Sequence, residues 1–284
     1  VAQTIEMNNC NVYMDIGGSR CIGIKASSDI NLNNCVIEMY YDVPVGAEGI
    51  DCYAETKDIA GNVYIDNCDI TIGILGTRTT GDNQGIVSKF GSVDIASSNI
   101  DVEIDAGDGD GIHSGEYFSD YSNEYDNREI YLKIYDSNVE VDINGSDISE
   151  QCVGIYSTYG DLEISKSYVV VTNNKSSDTG AVAGVLASYN LDILNGASVM
   201  VAVEPDTNNA SDVFGIYSMG GDISIGDKSI IGLHLLGNTV YGIKGEKNVS
   251  VATESEMNID LEGFTTMANG IYTNTGDIQL NNIL

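Results

Sequence analysis

The sequence predicts an all-β protein: a right-handed parallel β-helix, or solenoid, with three short strands per coil and about nine to ten coils. Three observations lead there. A Gly-Ile pair, once Gly-Val, begins at positions 23, 49, 85, 111, 154, 184, 215, 242 and 270. A recurrence every 26 to 43 residues means stacked supersecondary units. Around each pair the side chains alternate with a period of two, which is strand geometry. No segment of ten or more residues keeps a 3.6-residue period, which argues against a helix-rich fold.

The first strand of each repeat carries the pair. After Gly comes an apolar column: Ile24, Ile50, Ile86, Ile112, Ile155, Val185, Ile216, Ile243 and Ile271. Two places on, every residue is small, from Ala26, Cys52, Ser88 and Ser114 to Thr273. Between them lies a free column expected to point outward: Lys25, Asp51, Val87, His113, Tyr156, Leu186, Tyr217, Lys244 and Tyr272. A second strand follows, with inward pairs such as Ile30 and Leu32, Val93 and Ile95, or Leu162 and Ile164. A third strand then appears, as in Ile100–Ile104 and Val139–Ile143.

Between the second and third strands sits another small column: Cys10, Cys35, Cys68, Ser98, Ser137, Ser167, Ala197, Ser229 and Ser255. Asn9, Asn34, Asn67, Asp136 and Gly196 precede it. Such residues accept the left-handed conformation that a tight corner needs. The three Asn are expected to stack as an amide ladder. Coils should lie ~4.8 Å apart, and strand chirality favours right-handed winding.

Continuous repeats over 1–284 argue for one elongated domain. The chain opens within a strand pattern and closes within a repeat, and reads as a fragment of a longer chain. Insertions are expected at 53–61, 76–84 and 115–130, and both Pro residues, Pro44 and Pro205, follow third strands. Twelve basic and 43 acidic residues give a net charge of −31. Nucleic acid and anionic membrane surfaces are therefore poor partners, and cations are natural ones. No run of eighteen apolar residues suggests a membrane span. The six Cys form no Cys-x-x-Cys pair, and most fall in small columns, so they read as buried thiols.

Two stretches stand out from the regular pattern. The insertion after Gly115 carries Tyr117, Phe118, Tyr121 and Tyr125 among acids, beside the outward column of His113 and Tyr156. Aromatic faces stack on sugars, so these six side chains are the expected recognition surface. The second stretch is acidic. Outward positions of neighbouring third strands are expected to place Glu103 over Glu140 and Asp105 over Asp142. Asp108 and Asp110 at the adjoining corner would complete an oxygen shell for calcium.

Asp110-Gly111-Ile112-His113-Ser114, together with the Gly-Asp-Ile-x-Ile repeats, resembles the secreted β-helix proteins of anaerobic bacteria described as carbohydrate-binding domains, and the wider β-helix adhesin class. The resemblance implies a right-handed β-helix, calcium and a polysaccharide partner. Asp108, Asp110 and Gly111 match the aspartate-glycine loops of that family.

The leading expectation is a non-catalytic extracellular or cell-surface module that binds carbohydrate, a host or cell-wall polymer, or mediates adhesion with calcium. The alternatives are a polysaccharide-cleaving lyase or hydrolase and a purely structural surface stalk. The enzyme reading lacks an outward stack of basic residues or a nucleophile motif.

Overall fold

The structure is a computed structural model that describes residues 3–42, 46–53, 61–75, 83–105, 109–115, 130–144, 152–174, 182–205, 212–263, 266–281 and 283. Among the described residues all regular structure is strand, arranged in three parallel sheets of ten, nine and nine strands. The chain visits the sheets in rotation, so each strand pairs with the strands one coil before and one coil after it. The fold is a β-solenoid, the parallel β-helix architecture expected from the repeats. The predicted insertions fall mainly outside the described residues.

The ladders reproduce the columns. In the sheet of second strands, Val63, Val93, Leu132 and Leu162 share one register position, and Ile65, Ile95, Ile134 and Ile164 the next inward one. All are buried in one core filled from the three sheets. Each fully buried Ile or Leu contributes roughly 1.5–3 kcal/mol relative to exposure. In the sheet of third strands Asn173 interrupts an apolar column at complete burial. Its amide donates to the carbonyls of Cys152 and Ala183, both at 3.2 Å, and so ties that sheet to the Gly-Ile sheet.

The Gly of the repeated pair has a packing role. In the strand Cys152–Ser157, Val153 and Tyr156 face outward, whereas Ile155 lies in the core. Alternation therefore breaks at Gly154, which also faces inward. A Cβ there would strike Val171 Cγ1 of the third-strand sheet and approach the Gly184 carbonyl oxygen at 2.8 Å. Only hydrogen fits, and the same collision recurs at Gly111 and Gly184. Two adjacent inward residues, one without a side chain, let the Gly-Ile sheet press onto the third-strand sheet.

The corners are held by side chains that link coils. Asn9, Asn34, Asn67 and Asp136 have φ of 53°, 52°, 52° and 49°. The amide ladder is present: Asn67 Nδ2 donates to Asn34 Oδ1 at 3.0 Å, and Asn34 Nδ2 to Asn9 Oδ1 at 2.5 Å. The small column that follows is a relay. Cys68 N–H donates to Ser98 Oγ, Ser98 N–H to Ser137 Oγ and Ser137 N–H to Ser167 Oγ, at 3.0–3.1 Å. Each of these hydroxyls donates onward to the carbonyl two residues before it. Cys35 N–H donates in the same way to Cys68 Sγ at 3.4 Å. Thiol and hydroxyl thus serve the same position. All six Cys are free; Cys35, Cys52, Cys68 and Cys152 are buried, while Cys10 and Cys21 are half-buried. Cys10 was expected to be buried, but it is half-buried: among the described residues the coil of Cys35 packs on one side of it only.

Two outcomes are expected. Gly154→Ala should destabilise by about 1–3 kcal/mol through overpacking. Gly270→Ala, with nothing within 4 Å of an added Cβ, should be near neutral. Equal melting temperatures for the two variants would contradict this packing role. A thiol reagent on the native protein should label Cys10 and Cys21 only. Burial pushes the Cys52 thiol up to about 12 and also raises Cys68. Rapid modification of four or more thiols would refute the arrangement.

Candidate functional site

The outward face of the Gly-Ile sheet differs from its sequence reading. The free column does point away from the core, but four of its nine residues are buried: Asp51, Val87 and Leu186 are at most 1% exposed and His113 is 5% exposed. The column before Gly runs beside it through Glu48, Gln84, Asp110, Val153, Ala183, Phe214 and Tyr241. Together they form a second layer outside the solenoid core. This layer is polar at its N-terminal end and apolar at its C-terminal end.

In the polar half, Glu48 and Asp51 are neighbouring buried carboxyls of one strand. Lys25 Nζ lies 2.8 Å from Asp51 Oδ2, and Lys89 Nζ 3.5 Å from Glu48 Oε1. Arg20 approaches Glu48 at 3.6 Å. Burial and the adjacent Glu48 carboxyl push the Asp51 carboxyl up to about 6, against the opposing effect of Lys25. Burial also works to raise Glu48, but the Asp51 carboxyl beside it and the Lys89, Lys25 and Arg20 charges outweigh it and hold Glu48 below its ordinary value. Asp51 is therefore the first of the two to take up a proton as pH falls. Lys25 and Lys89 also lie over the Tyr53 ring, 4.7 and 5.3 Å from its centroid.

Two coils further, Asp110 accepts the Val153 N–H at 3.1 Å and lies 3.0 Å from His113 Nδ1. His113 Nε2 bonds Thr158 Oγ1 at 2.7 Å, and the ring stacks on Tyr156 at 4.7 Å. His113 and Tyr156 thus have their polar and aromatic faces engaged within the protein, and are not the free recognition pair expected of them. The apolar half continues with Phe214 stacked on Tyr217 at 4.5 Å and on Tyr241 at 5.4 Å. Lys244 Nζ lies 4.8, 4.9 and 4.4 Å from the centroids of Phe214, Tyr217 and Tyr241. These rings face one another and the lysine. Tyr117, Phe118, Tyr121 and Tyr125 lie outside the described residues.

The acidic rows also differ from expectation. The structure pairs Asp101 with Glu140, Glu103 with Asp142 and Asp105 with Asn144, two residues from the expected register. The stacked Ser98–Ser137 corner sets this alignment, because it places Asn99 directly on Asn138. Like charges still face each other, and burial with the Asp142 charge pushes the Asp101 carboxyl up. Asp110 cannot complete an oxygen shell with them. It belongs to the Gly-Ile sheet and is held there by Val153 and His113, whereas Glu103, Asp105, Glu140 and Asp142 lie on the third-strand sheet. Asp108 lies outside the described residues. Among the described residues no three His, Cys, Asp or Glu side chains converge as a metal site.

The third-strand sheet keeps its outer face open to solvent, with alternating buried and exposed residues along its strands. Nine strands at ~4.8 Å make a surface roughly 40 Å long. Two shallow grooves cross it. One, of about 250 Å³, is lined by Asp69, Asp101, Asn138, Glu140 and Tyr168, whose ring is half exposed. The other, of about 300 Å³, lies between Val170 and Asp260. The Glu48–Asp51 pair escaped the sequence reading because the column before Gly had not been aligned. Reading Glu48, Gln84 and Asp110 together would have shown a polar row.

The raised Asp51 carboxyl has a pH signature. Asp51 titrates at its ordinary 3.8 when unfolded and near 6 when folded, so the native state binds its proton more tightly and loses stability as pH rises from about 4 to about 6. Glu48 works in the opposite sense, below its ordinary 4.5. Asp51→Asn removes the titrating group. Its melting temperature should fall less than the native protein's between pH 4.5 and 7, and identical slopes would show that Asp51 does not titrate in this range.

No family model, curated protein or solved structure matches this chain, so a function is argued from the geometry of these residues alone.

Proposed function

We propose that this protein is a non-catalytic extracellular or cell-surface module that binds glycan and mediates adhesion, with the open face of the third-strand sheet as its contact surface. The observation that carries this reading is the shape of that face: long, regular, solvent-exposed and crossed by shallow grooves. A polymer lying on it meets repeated side chains at one spacing, and the half-exposed Tyr168 offers a ring and a hydroxyl. A net charge of −31 favours neutral or cationic polymers, and acidic ones only through a bridging cation. Calcium, on this reading, is held at the facing pairs Asp101–Glu140 and Glu103–Asp142.

The Glu48–Asp51 pair is the observation that favours polysaccharide cleavage instead. Glycoside hydrolysis places the sugar between two carboxyls, and the burial of this pair keeps a polymer away.

A glycan array on the purified chain, in millimolar calcium and in chelator, should give retention without release of shortened products. Product release would overturn the reading, as would no retention of any glycan. Calcium should raise the melting temperature of the native protein. Glu103→Gln with Asp142→Asn should stabilise the chelated protein by roughly 1 kcal/mol, through lost repulsion, and abolish the calcium response. A calcium response that survives this double substitution would place the ion elsewhere.

A further inference from the structure

We propose that the groove between Val170 and Asp260 is a subsite for a sugar unit bearing a free amino group, an inference that rests on the glycan-binding reading above. The outward positions of the third-strand sheet form continuous columns. One runs Asp101, Glu140, Val170, Met200, Gly232, Asn258, and its neighbour Glu103, Asp142, Thr172, Ala202, His234, Asp260. After its two acids the first turns apolar or small for three coils, Val170, Met200 and Gly232, before Asn258; the second has only Thr172 and Ala202 between its acids and His234. No core lies on this side, so an apolar interruption of a solvated face calls for another explanation.

The interruption is also where the surface sinks, to a groove of about 300 Å³. That lies at the small end of ligand pockets. Ala202 supplies the depth. The Met200 sulfur occupies the place a side chain at 232 would take, giving an aliphatic, deformable floor. The rim is polar, with His234, Asn258 and Asp260 lining it. His234 Nδ1 lies 3.2 Å from Asp260 Oδ2, so one carboxylate stands at the groove, while Glu204 holds the ring from the other side at 3.4 Å from Nε2.

This combination selects its ligand. The C–H face of a pyranose covers Met200, Val170 and Ala202, while ring hydroxyls reach His234 and Asn258. A protonated amine meets Asp260, where a uronate or sulfate would be repelled. The known ways of holding a peptide fit less well. Both edges of each strand here are already paired, an apolar strip three coils long (~14 Å) is short for an amphipathic helix, and no aromatic lines it for an extended proline-rich segment.

The probes are three trisaccharides titrated calorimetrically into the full chain at physiological salt: β-1,4-linked glucosamine, its N-acetylated form and galacturonate. The glucosamine trisaccharide should bind at least tenfold more tightly than the N-acetylated one, and galacturonate should not bind. Ala202→Leu, which fills the groove from an outward position, and Asp260→Asn should each weaken glucosamine binding at least tenfold with the melting temperature unchanged. Undiminished binding by Ala202→Leu would overturn the subsite, as would preference for galacturonate. A trilysine peptide that binds the native chain as tightly as the amino sugar, and is lost in Ala202→Leu, would also overturn it in favour of a peptide side chain. Retention of other glycans on the array without glucosamine binding defeats the subsite alone. Retention of none defeats the glycan reading beneath it as well.

Discussion

Each coil of this protein is hydrogen-bonded to the next along three parallel ladders, and every other feature depends on that stacking. The ladder spacing is the same everywhere, so each inward side chain lies on its counterpart one coil away and must match it in size. The apolar columns of the second and third strands follow directly. So does the Gly column, where the third-strand sheet comes so close that an added Cβ would meet Val171 at Gly154 and Val201 at Gly184. The corners obey the same rule by hydrogen bonding: the Cys and Ser column passes one bond per coil from Cys35 to Ser167.

Stacking also forces like charges together, and the two outward faces handle this differently. On the open third-strand face, Asp101 and Glu140 stand opposite each other, as do Glu103 and Asp142, and solvent moderates the repulsion. On the covered Gly-Ile face solvent is excluded, and Lys25 and Lys89 answer Asp51 and Glu48 with ion pairs. Further along the same columns the problem disappears, because Val153, Ala183, Leu186 and Phe214 replace charge with apolar packing. Lys244 is the exception, and aromatic faces take its ammonium in place of a carboxylate.

This division assigns different work to the two faces. The Gly-Ile face spends its aromatic rings on internal stacking, so its tyrosines stabilise the layer rather than recognise a ligand. The third-strand face leaves its side chains free, and recognition on the glycan reading falls to it. Ala202 keeps that face low beside His234, where the groove of about 300 Å³ lies.

Much of the architecture was legible in the sequence. The Gly-Ile recurrence, the apolar pairs and the Asn corners are local or strictly periodic signals, and stacking turns each into a column without further information. Asn9, Asn34 and Asn67 show this, since their spacing alone implied the ladder they form. The covered outer layer was not legible. Asp51, His113 and Tyr156 alternate as outward residues should, and period two reports which way a side chain points, not whether anything lies over it. The pairing of Glu103 with Asp142 was within reach of the sequence. Ser98 and Ser137 share the small corner column, and that alignment alone sets Asn99 on Asn138 and Glu103 on Asp142, as the structure has it; alternation misses it because a shift of two residues preserves facing.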